Sequence, residues 1–234
     1  MLNVAILLAA GSSKRFRGRG IKQFSRLGRR YLIDYPLRTL IDSSWIQHII
    51  LAVPKGWVGF AREKITKKYD LKGKKIEVVA GGRRRQDSAY KALQRIPPRS
   101  DFILFHDGAR PFLTQGMISA SIKGAKKSGS CILALPVTNT IKESMDGRRV
   151  EKTLSRNRLW EIQTPQSFSG KLIKKAFASA YRNGWYGTDT SSLVERIGGR
   201  IRIILGDKRN IKITTPLDLI VAKAIVKNGY RNRI

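Results

Sequence analysis

The feature that most constrains this chain is a rhythm in its hydropathy. Over the first 136 residues, short and largely apolar runs at 4–8, 49–53, 76–79, 102–106 and 131–135 alternate with amphipathic stretches. Runs this short, apolar at successive positions rather than at every second one, describe strands buried on both faces. Alternating with helices, they specify an α/β domain, a mostly parallel sheet covered by helices on both faces. The spacing predicts helices over 60–69, 86–94 and 117–128, and another from Asp34, as its cap, to about 43, with Pro36 tolerated in its first turn.

Residues 137–168 break the rhythm. They are polar, carry Thr138, Thr140, Thr153, Arg156 and Trp160, and offer short β-like pieces without a long helix. A stretch of that kind inside a compact domain is usually functional or meets another chain. The α/β pattern then resumes with helices over 171–182 and 191–197, a strand over 201–205, and a last helix. Thr215 can cap that helix, with Pro216 at its first position and Asp218 completing a capping box. The 234 residues thus read as a single domain, 1–234, with an arm over 137–160. No apolar run approaches the roughly 18 residues of a membrane span. Without a basic leader, the expected location is the cytoplasm. The single cysteine, Cys131, excludes a disulfide framework and reads as a small buried hydrophobe.

Four loops carry chemistry. The first run leads into Ala9-Ala10-Gly11-Ser12-Ser13-Lys14-Arg15, with Lys22 shortly after. Ligands of open α/β sheets bind beyond the carboxyl ends of the strands. Small residues there let backbone N–H groups approach phosphate oxygens, and cations add charge-assisted bonds. The glycine spacing is that of neither a dinucleotide fingerprint nor a P-loop, so a tight turn with solvated basic residues is the competing reading. The third run is followed by Gly81-Gly82-Arg83-Arg84-Arg85-Gln86-Asp87-Ser88. Its glycine pair either lies against a flat ring or a phosphate, or simply starts a helix. The fourth ends in His106-Asp107-Gly108-Ala109-Arg110-Pro111, where Asp107 is suited to hold Mg²⁺ against a triphosphate and His106 reads as structural. The last loop, 206–216, places Lys212 in a short apolar strand, where a lysine calls for an anion.

Together these pieces resemble one family. The matching residues are Leu8-Ala9-Ala10-Gly11-x-x-x-Arg15 with Lys22-Gln23-Phe24, Gly81-Gly82 with Arg85-Gln86-Asp87-Ser88, and His106-Asp107-Gly108-Ala109-Arg110-Pro111-Phe112. They continue through Leu135-Pro136-Val137-x-x-Thr140-Ile141-Lys142, Leu159-Trp160-x-x-Gln163-Thr164-Pro165-Gln166, Thr188-Asp189 and Arg209-Asn210-Ile211-Lys212-Ile213-Thr214-Thr215-Pro216. In that order, over essentially the whole chain, they are similar to the 2-C-methyl-D-erythritol 4-phosphate cytidylyltransferases of the non-mevalonate isoprenoid pathway. The resemblance implies a Rossmann-like nucleotidyltransferase fold with a protruding β-arm. It implies Mg²⁺-dependent transfer of CMP from CTP to methylerythritol phosphate, with release of pyrophosphate.

Carried over position by position, Arg15 and Lys22 are the catalytic pair that stabilises charge on the α-phosphate and leaving group. Arg156 and Lys212 bind the attacking phosphate, with Thr140, Arg110 and Thr188 as further substrate-positioning contacts. Ala9, Ala10, Gly11, Gly82 and Ser88 form the nucleotide pocket, and Asp107 is the acid beside metal and triphosphate. The arm implies a homodimer, with Arg156 acting across its interface. Ser13, Arg83, Gly108, Ser155 and Thr190 depart from the family's usual residues, none of them at an assigned catalytic position. A sister enzyme acting on another polyol phosphate, such as ribitol 5-phosphate, is the nearest alternative; the runs at 159–166 and 209–216 favour the methylerythritol enzyme.

Charge enters last. Forty-seven Lys+Arg against 16 Asp+Glu leave +31, a balance that points first to a polyanion such as nucleic acid. No nucleic-acid-binding signature is present, and the 8% aromatic residues are not interleaved with the basic runs as a stacking platform requires. Lys14, Arg15, Arg17, Arg19, Lys22, Arg26, Arg29 and Arg30 instead form an acid-free run around the first loop. A phosphorylated substrate explains that cluster. The cations at 64–75 and in the C-terminal tail have no assigned role.

Overall fold

In the computed structural model, which describes residues 1–11 and 21–228, each of the five apolar runs is a strand. The chain begins with β1 (Asn3–Leu8), a small hairpin of β2 (Arg26–Leu27) and β3 (Arg30–Tyr31), α1 (Asp34–Ile41) and β4 (His48–Val53). It continues with α2 (Val58–Phe60), β5 (Lys75–Ala80), α3 (Arg85–Leu93), β6 (Phe102–Asp107), α4 (Gln115–Ser128) and β7 (Ser130–Pro136). After β8 (Ile141–Glu143) and β9 (Lys152–Leu154) come β10 (Trp160–Ser169), α5 (Gly170–Arg182), α6 (Ser191–Arg196), β11 (Arg202–Leu205) and α7 (Pro216–Lys227).

Seven strands form one sheet in the order β11-β7-β10-β6-β1-β4-β5. Every neighbouring pair is parallel except the two made by β10, which runs antiparallel to both β6 and β7. Successive residues of the central strands enter opposite cores, which is why their sequences are apolar throughout. Ala5, Leu7, Ile49 and Leu51 meet Leu37 and Leu40 of α1 and Ile118 and Ile122 of α4. Val4, Ile6, Ile50 and Ala52 face the other way, against Ala89 and Leu93 of α3, Ile173 and Phe177 of α5, and Val194 of α6. Each buried aliphatic side chain contributes about 1.5–3 kcal/mol relative to exposure. A small third cluster, Leu27, Leu32, Phe112, Ile213 and Ala222, fastens α7 and the β2–β3 hairpin to the loop after β6.

Local chemistry sets the ends of the elements. The Thr114 hydroxyl accepts the Met117 N–H at the start of α4, and Gly129, at φ 80°, closes it. The Thr215 capping box opens α7 as the sequence predicts. Among the described residues, no helix is long and apolar enough to cross a membrane.

Four expectations need correction. Asp34 does not cap α1 but lies inside its first turn, where its buried carboxylate accepts the Tyr31 N–H at 2.9 Å and pairs with Lys68 at 2.6 Å. The stretch predicted as a helix over 60–69 is one α-turn that widens into a π-helical segment, Ala61–Thr66, with the Lys67 N–H reaching the Arg62 carbonyl. Lys212 lies in no strand; its segment is an extended loop held by the Ile213 N–H on the Ala109 carbonyl at 2.9 Å. The largest departure is β10, because the expected break extended to 168 while the break in the structure ends where β10 begins, at Trp160. Its polar residues disguise a central strand, yet they are paired. Ser167 shares a hydrogen bond with Ser121 at 2.6 Å, Gln166 reaches Asp189 at 2.7 Å, and Pro165 sits within a register shift between Ile162 and Gln166.

Residues 137–154 make up the first half of the predicted break. There β8 and β9 make a separate two-stranded antiparallel ladder that joins no strand of the main sheet.

Candidate active site

The carboxyl ends of β1, β5 and β6 converge on a cleft of about 390 Å³. Its floor comes from small residues. A Cβ added to Gly81 would stand 2.2 Å from the Ala10 Cβ and 2.8 Å from the Ser88 Oγ, so only glycine lets the loops after β1 and β5 lie against each other. The Gly82 N–H is then held by the Ser88 hydroxyl at 3.0 Å, and Asp87 accepts the Arg84 N–H at 3.0 Å to start α3. Cations form the walls: Lys22, Arg83, Arg84, Arg85 and Lys212 all line the cleft. Asp107 is the single acid among the lining residues.

Asp107 organises these charges. One carboxylate oxygen meets the Arg85 Nε at 3.0 Å and the other the Lys212 Nζ at 2.7 Å. Burial works to raise the Asp107 pKa, but Arg85 and then Lys212 overcome it and hold the carboxyl far below the usual range. Arg85 also donates to the Thr190 Oγ1 at 2.9 Å, linking the β5 and β6 ends to the start of α6. The Asp107 backbone N–H donates to the Thr164 Oγ1 at 3.1 Å. That hydroxyl lies 3.1 Å from the His106 Nδ1, while the His106 Nε2 is 3.0 Å from the Arg110 carbonyl. Facing a carbonyl, Nε2 carries the proton, and the Thr164 O–H donates to Nδ1. Burial, first among the causes, pushes the imidazole down to about 4. His106 is a neutral structural group, as the sequence reading preferred.

The structure gathers part of the predicted site. Ala10, Gly11, Lys22, Ser88, Asp107 and Lys212 line the cleft; Ala9 and Gly82 are not among its lining residues but belong to the same loops. Arg15 falls outside the described residues. Arg110 does not line the cleft, because its guanidinium donates to the carbonyls of Asn210, at 2.6 Å, and Ile162, at 3.3 Å. Thr188 is exposed in the 184–190 loop, which Gln86 holds through the Trp185 carbonyl and the Gly187 N–H. Thr140 and Arg156 are exposed near the β8–β9 ladder, and Arg156 donates to the Thr138 carbonyl at 3.0 Å. Within one chain neither belongs to the cleft wall.

Two participants escaped the sequence reading as site residues. Arg85 is the Asp107 partner, signalled only by its place in a basic run after a strand. Thr164, which hides in a polar strand, bears no signal beyond its motif.

The cleft can bind a polyanion through five cations while leaving one strongly ionised carboxylate at its base. It contains no cluster of three His, Cys, Asp or Glu among the described residues. Such a site suits positioning and charge neutralisation rather than proton abstraction.

Comparison with known proteins finds a family that matches nearly the whole chain. The profile of the 2-C-methyl-D-erythritol 4-phosphate cytidylyltransferases matches residues 3–228. The enzyme of that name from Clostridioides difficile (strain 630) is 39% identical over 229 residues, 98% of this chain and 95% of its own. Its counterpart from Syntrophus aciditrophicus (strain SB) is 40% identical over 225 residues, covering 96% and 95%. The crystal structure of 4-diphosphocytidyl-2C-methyl-D-erythritol synthase from Anaerococcus prevotii DSM 20548 superposes with a TM-score of 0.84 at 31% identity, over 97% of this chain and 98% of that one. The 2-C-methyl-D-erythritol 4-phosphate cytidylyltransferase from Francisella tularensis gives 0.81 at 30% identity, over 96% and 99%.

Proposed function

Because this chain belongs to the 2-C-methyl-D-erythritol 4-phosphate cytidylyltransferase family, we infer that its cleft transfers CMP from CTP to 2-C-methyl-D-erythritol 4-phosphate. A phosphate oxygen of the polyol attacks the α-phosphorus of CTP, the bond from that phosphorus to the β-phosphate bridge breaks, and pyrophosphate leaves. The nucleophile is already anionic, so the reaction needs no strong base. It needs two repelling anions held in line and the spreading charge met by cations. The observation that carries this reading is that Lys22, Lys212 and Arg83–Arg85 line one cleft at the strand ends, whose single lining acid, Asp107, is held by Arg85 and Lys212.

In this assignment Lys22, with Arg15, meets the charge that develops on the α-phosphate and the leaving group. Lys212, with Arg156, holds the attacking phosphate. The small loops at Ala9–Gly11 and Gly82, with Ser88, receive the nucleotide. Both oxygens of Asp107 already face cations, so the chain alone is no cage for a metal. The donor set fits Mg²⁺ that arrives on the triphosphate, with Asp107 as the protein's one carboxylate. Bound there, the ion would neutralise the triphosphate and the departing pyrophosphate.

Thr140 and Arg156 reach a substrate only if a second copy brings them. The exposed Met145 and Val150 beyond β8, with Trp160 and Ile162 at the start of β10, offer apolar surface for that copy. We therefore read residues 137–160 as a dimerisation arm and the enzyme as a cytoplasmic homodimer.

The test is pyrophosphate release with CTP and Mg²⁺, offering methylerythritol phosphate or ribitol 5-phosphate. Turnover is expected with the former, and Lys22→Ala and Lys212→Ala should each lower kcat/KM by about 10²–10³. Full activity in both variants overturns the site assignment. Turnover with ribitol 5-phosphate alone overturns the substrate.

A further inference from the structure

Lys212 has a long, half-exposed side chain, and its segment belongs to no strand or helix. A cation on such a loop holds a phosphate in line only if something fixes its backbone. Two bonds bracket it. On one side the Ile213 N–H donates to the Ala109 carbonyl at 2.9 Å. On the other stands Asn210, which is fully buried.

Two links from Asn210 lead back to Asp107, while the Asn210 N–H donates to the Asp207 carbonyl at 2.9 Å. Its Nδ2 donates to the Thr164 carbonyl at 2.8 Å and to the Gln163 Oε1 at 3.3 Å. Its carbonyl accepts the Arg110 Nη1 at 2.6 Å. The Arg110 carbonyl meets His106, His106 meets the Thr164 hydroxyl, and that hydroxyl takes the Asp107 N–H. The hydrogen bonds therefore close a ring through Thr164, His106, Arg110 and Asn210. The ring clamps the Lys212 loop to the strand end that bears Asp107. Its other acceptor, Gln163, is itself fixed: its Nε2 donates to the Asp207 carbonyl at 3.0 Å, and a Cβ on Gly206 would lie 2.4 Å from its Oε1. The Asn210 Oδ1 has no hydrogen-bond partner among the described residues, so the side chain serves through its two donors.

We propose that Asn210 is a positioning residue: its amide sets where Lys212 stands relative to Asp107, and so where the attacking phosphate is held. The proposal rests on the assignment of Lys212 to that phosphate. An aspartate at 210 keeps the shape but puts an oxygen, in place of the amide nitrogen, against the Thr164 carbonyl and the Gln163 Oε1. Alanine removes the contacts. Both changes release the loop without altering a group that touches substrate.

The experiment measures kcat and KM for each substrate in Asn210→Asp, Asn210→Ala, Lys212→Ala and the doubles Asn210→Asp/Lys212→Ala and Asn210→Ala/Lys212→Ala, with melting curves for all. Each Asn210 variant should lower kcat/KM for methylerythritol phosphate about tenfold or more while KM for CTP stays within about twofold. In the Lys212→Ala background each change should cost less than about twofold more, because the group it acts through is gone. Additive losses in the doubles, or an equal rise in KM for CTP, overturn the proposal even where Lys212→Ala is impaired. Full activity of Lys212→Ala removes the underlying assignment and the proposal with it. An Asn210 variant that melts early is judged by the other one, and by whether its loss survives in the double.

Discussion

At the scale of single residues, His106 and Asp107 are neighbours that both resist protonation in the fold, in different pH windows and for different reasons. Burial outweighs the Asp107 charge and holds the His106 imidazole near 4, below its ordinary 6.5. The folded protein keeps it neutral while the unfolded chain takes up a proton, so the full stability is present above about pH 6.5 and declines as pH falls toward 4. A shift of that size corresponds to about 3 kcal/mol across the window. His48, also lowered by burial and by Lys75, adds to the decline in the same direction. The Asp107 contribution, with a depressed pKa, is lost only at more acid pH, below the ordinary carboxylate range. Urea unfolding between pH 7 and 4 should therefore show a clear loss of stability in the wild type. His106→Gln should begin less stable, having broken the ring, but lose distinctly less on acidification. Parallel pH profiles for the two proteins would refute a buried neutral histidine.

At the scale of elements, the site is made where three strands end, and its geometry depends on how closely their loops approach. Gly81 is the limiting contact, with 2.2 Å between its absent Cβ and that of Ala10. Gly81→Ala should force the two loops apart, destabilise the fold by about 1–3 kcal/mol and reduce kcat/KM for CTP by about tenfold or more. Gly56, where an added Cβ meets nothing within 4 Å, supplies the control. Equal behaviour of Gly56→Ala and Gly81→Ala in melting and kinetics would sink the close-approach argument.

The same scale shows why parts of the molecule were legible in advance. The strands β1, β4 and β6 are buried on both faces and spell this out in continuous apolar runs. The loops that follow them announce themselves by glycine and charge. Strand β10 was not legible, since Gln163, Thr164, Gln166 and Ser167 are buried through pairing that no local pattern reveals. For the same reason Arg85 read as one cation in a basic run. Its contact with Asp107, 22 positions away, is a product of the sheet order.

At the scale of the whole molecule, most of the +31 charge lies outside the cleft, yet the two substrates are anions that must enter it together. The excess supplies a long-range attraction that salt weakens, whereas the ion pairs that the buried Asp107 makes with Arg85 and Lys212 are screened less. Charge alone does not complete the site, because Arg156 and Thr140 stand off the cleft of their own chain. If a partner's arm supplies them, each active site is built from the Lys212 of one protomer and the Arg156 of the other. Lys212→Ala and Arg156→Ala homodimers should then both be nearly inactive. In a mixed dimer one site carries both defects and the other carries neither. Unfolding and refolding an equal mixture gives half mixed dimers by random pairing, with one intact site each, so activity should recover to about a quarter of wild type. No recovery, with mixed dimers demonstrated by differently tagged chains, would place Arg156 in its own chain's site, and an active Arg156→Ala homodimer would place it outside the chemistry.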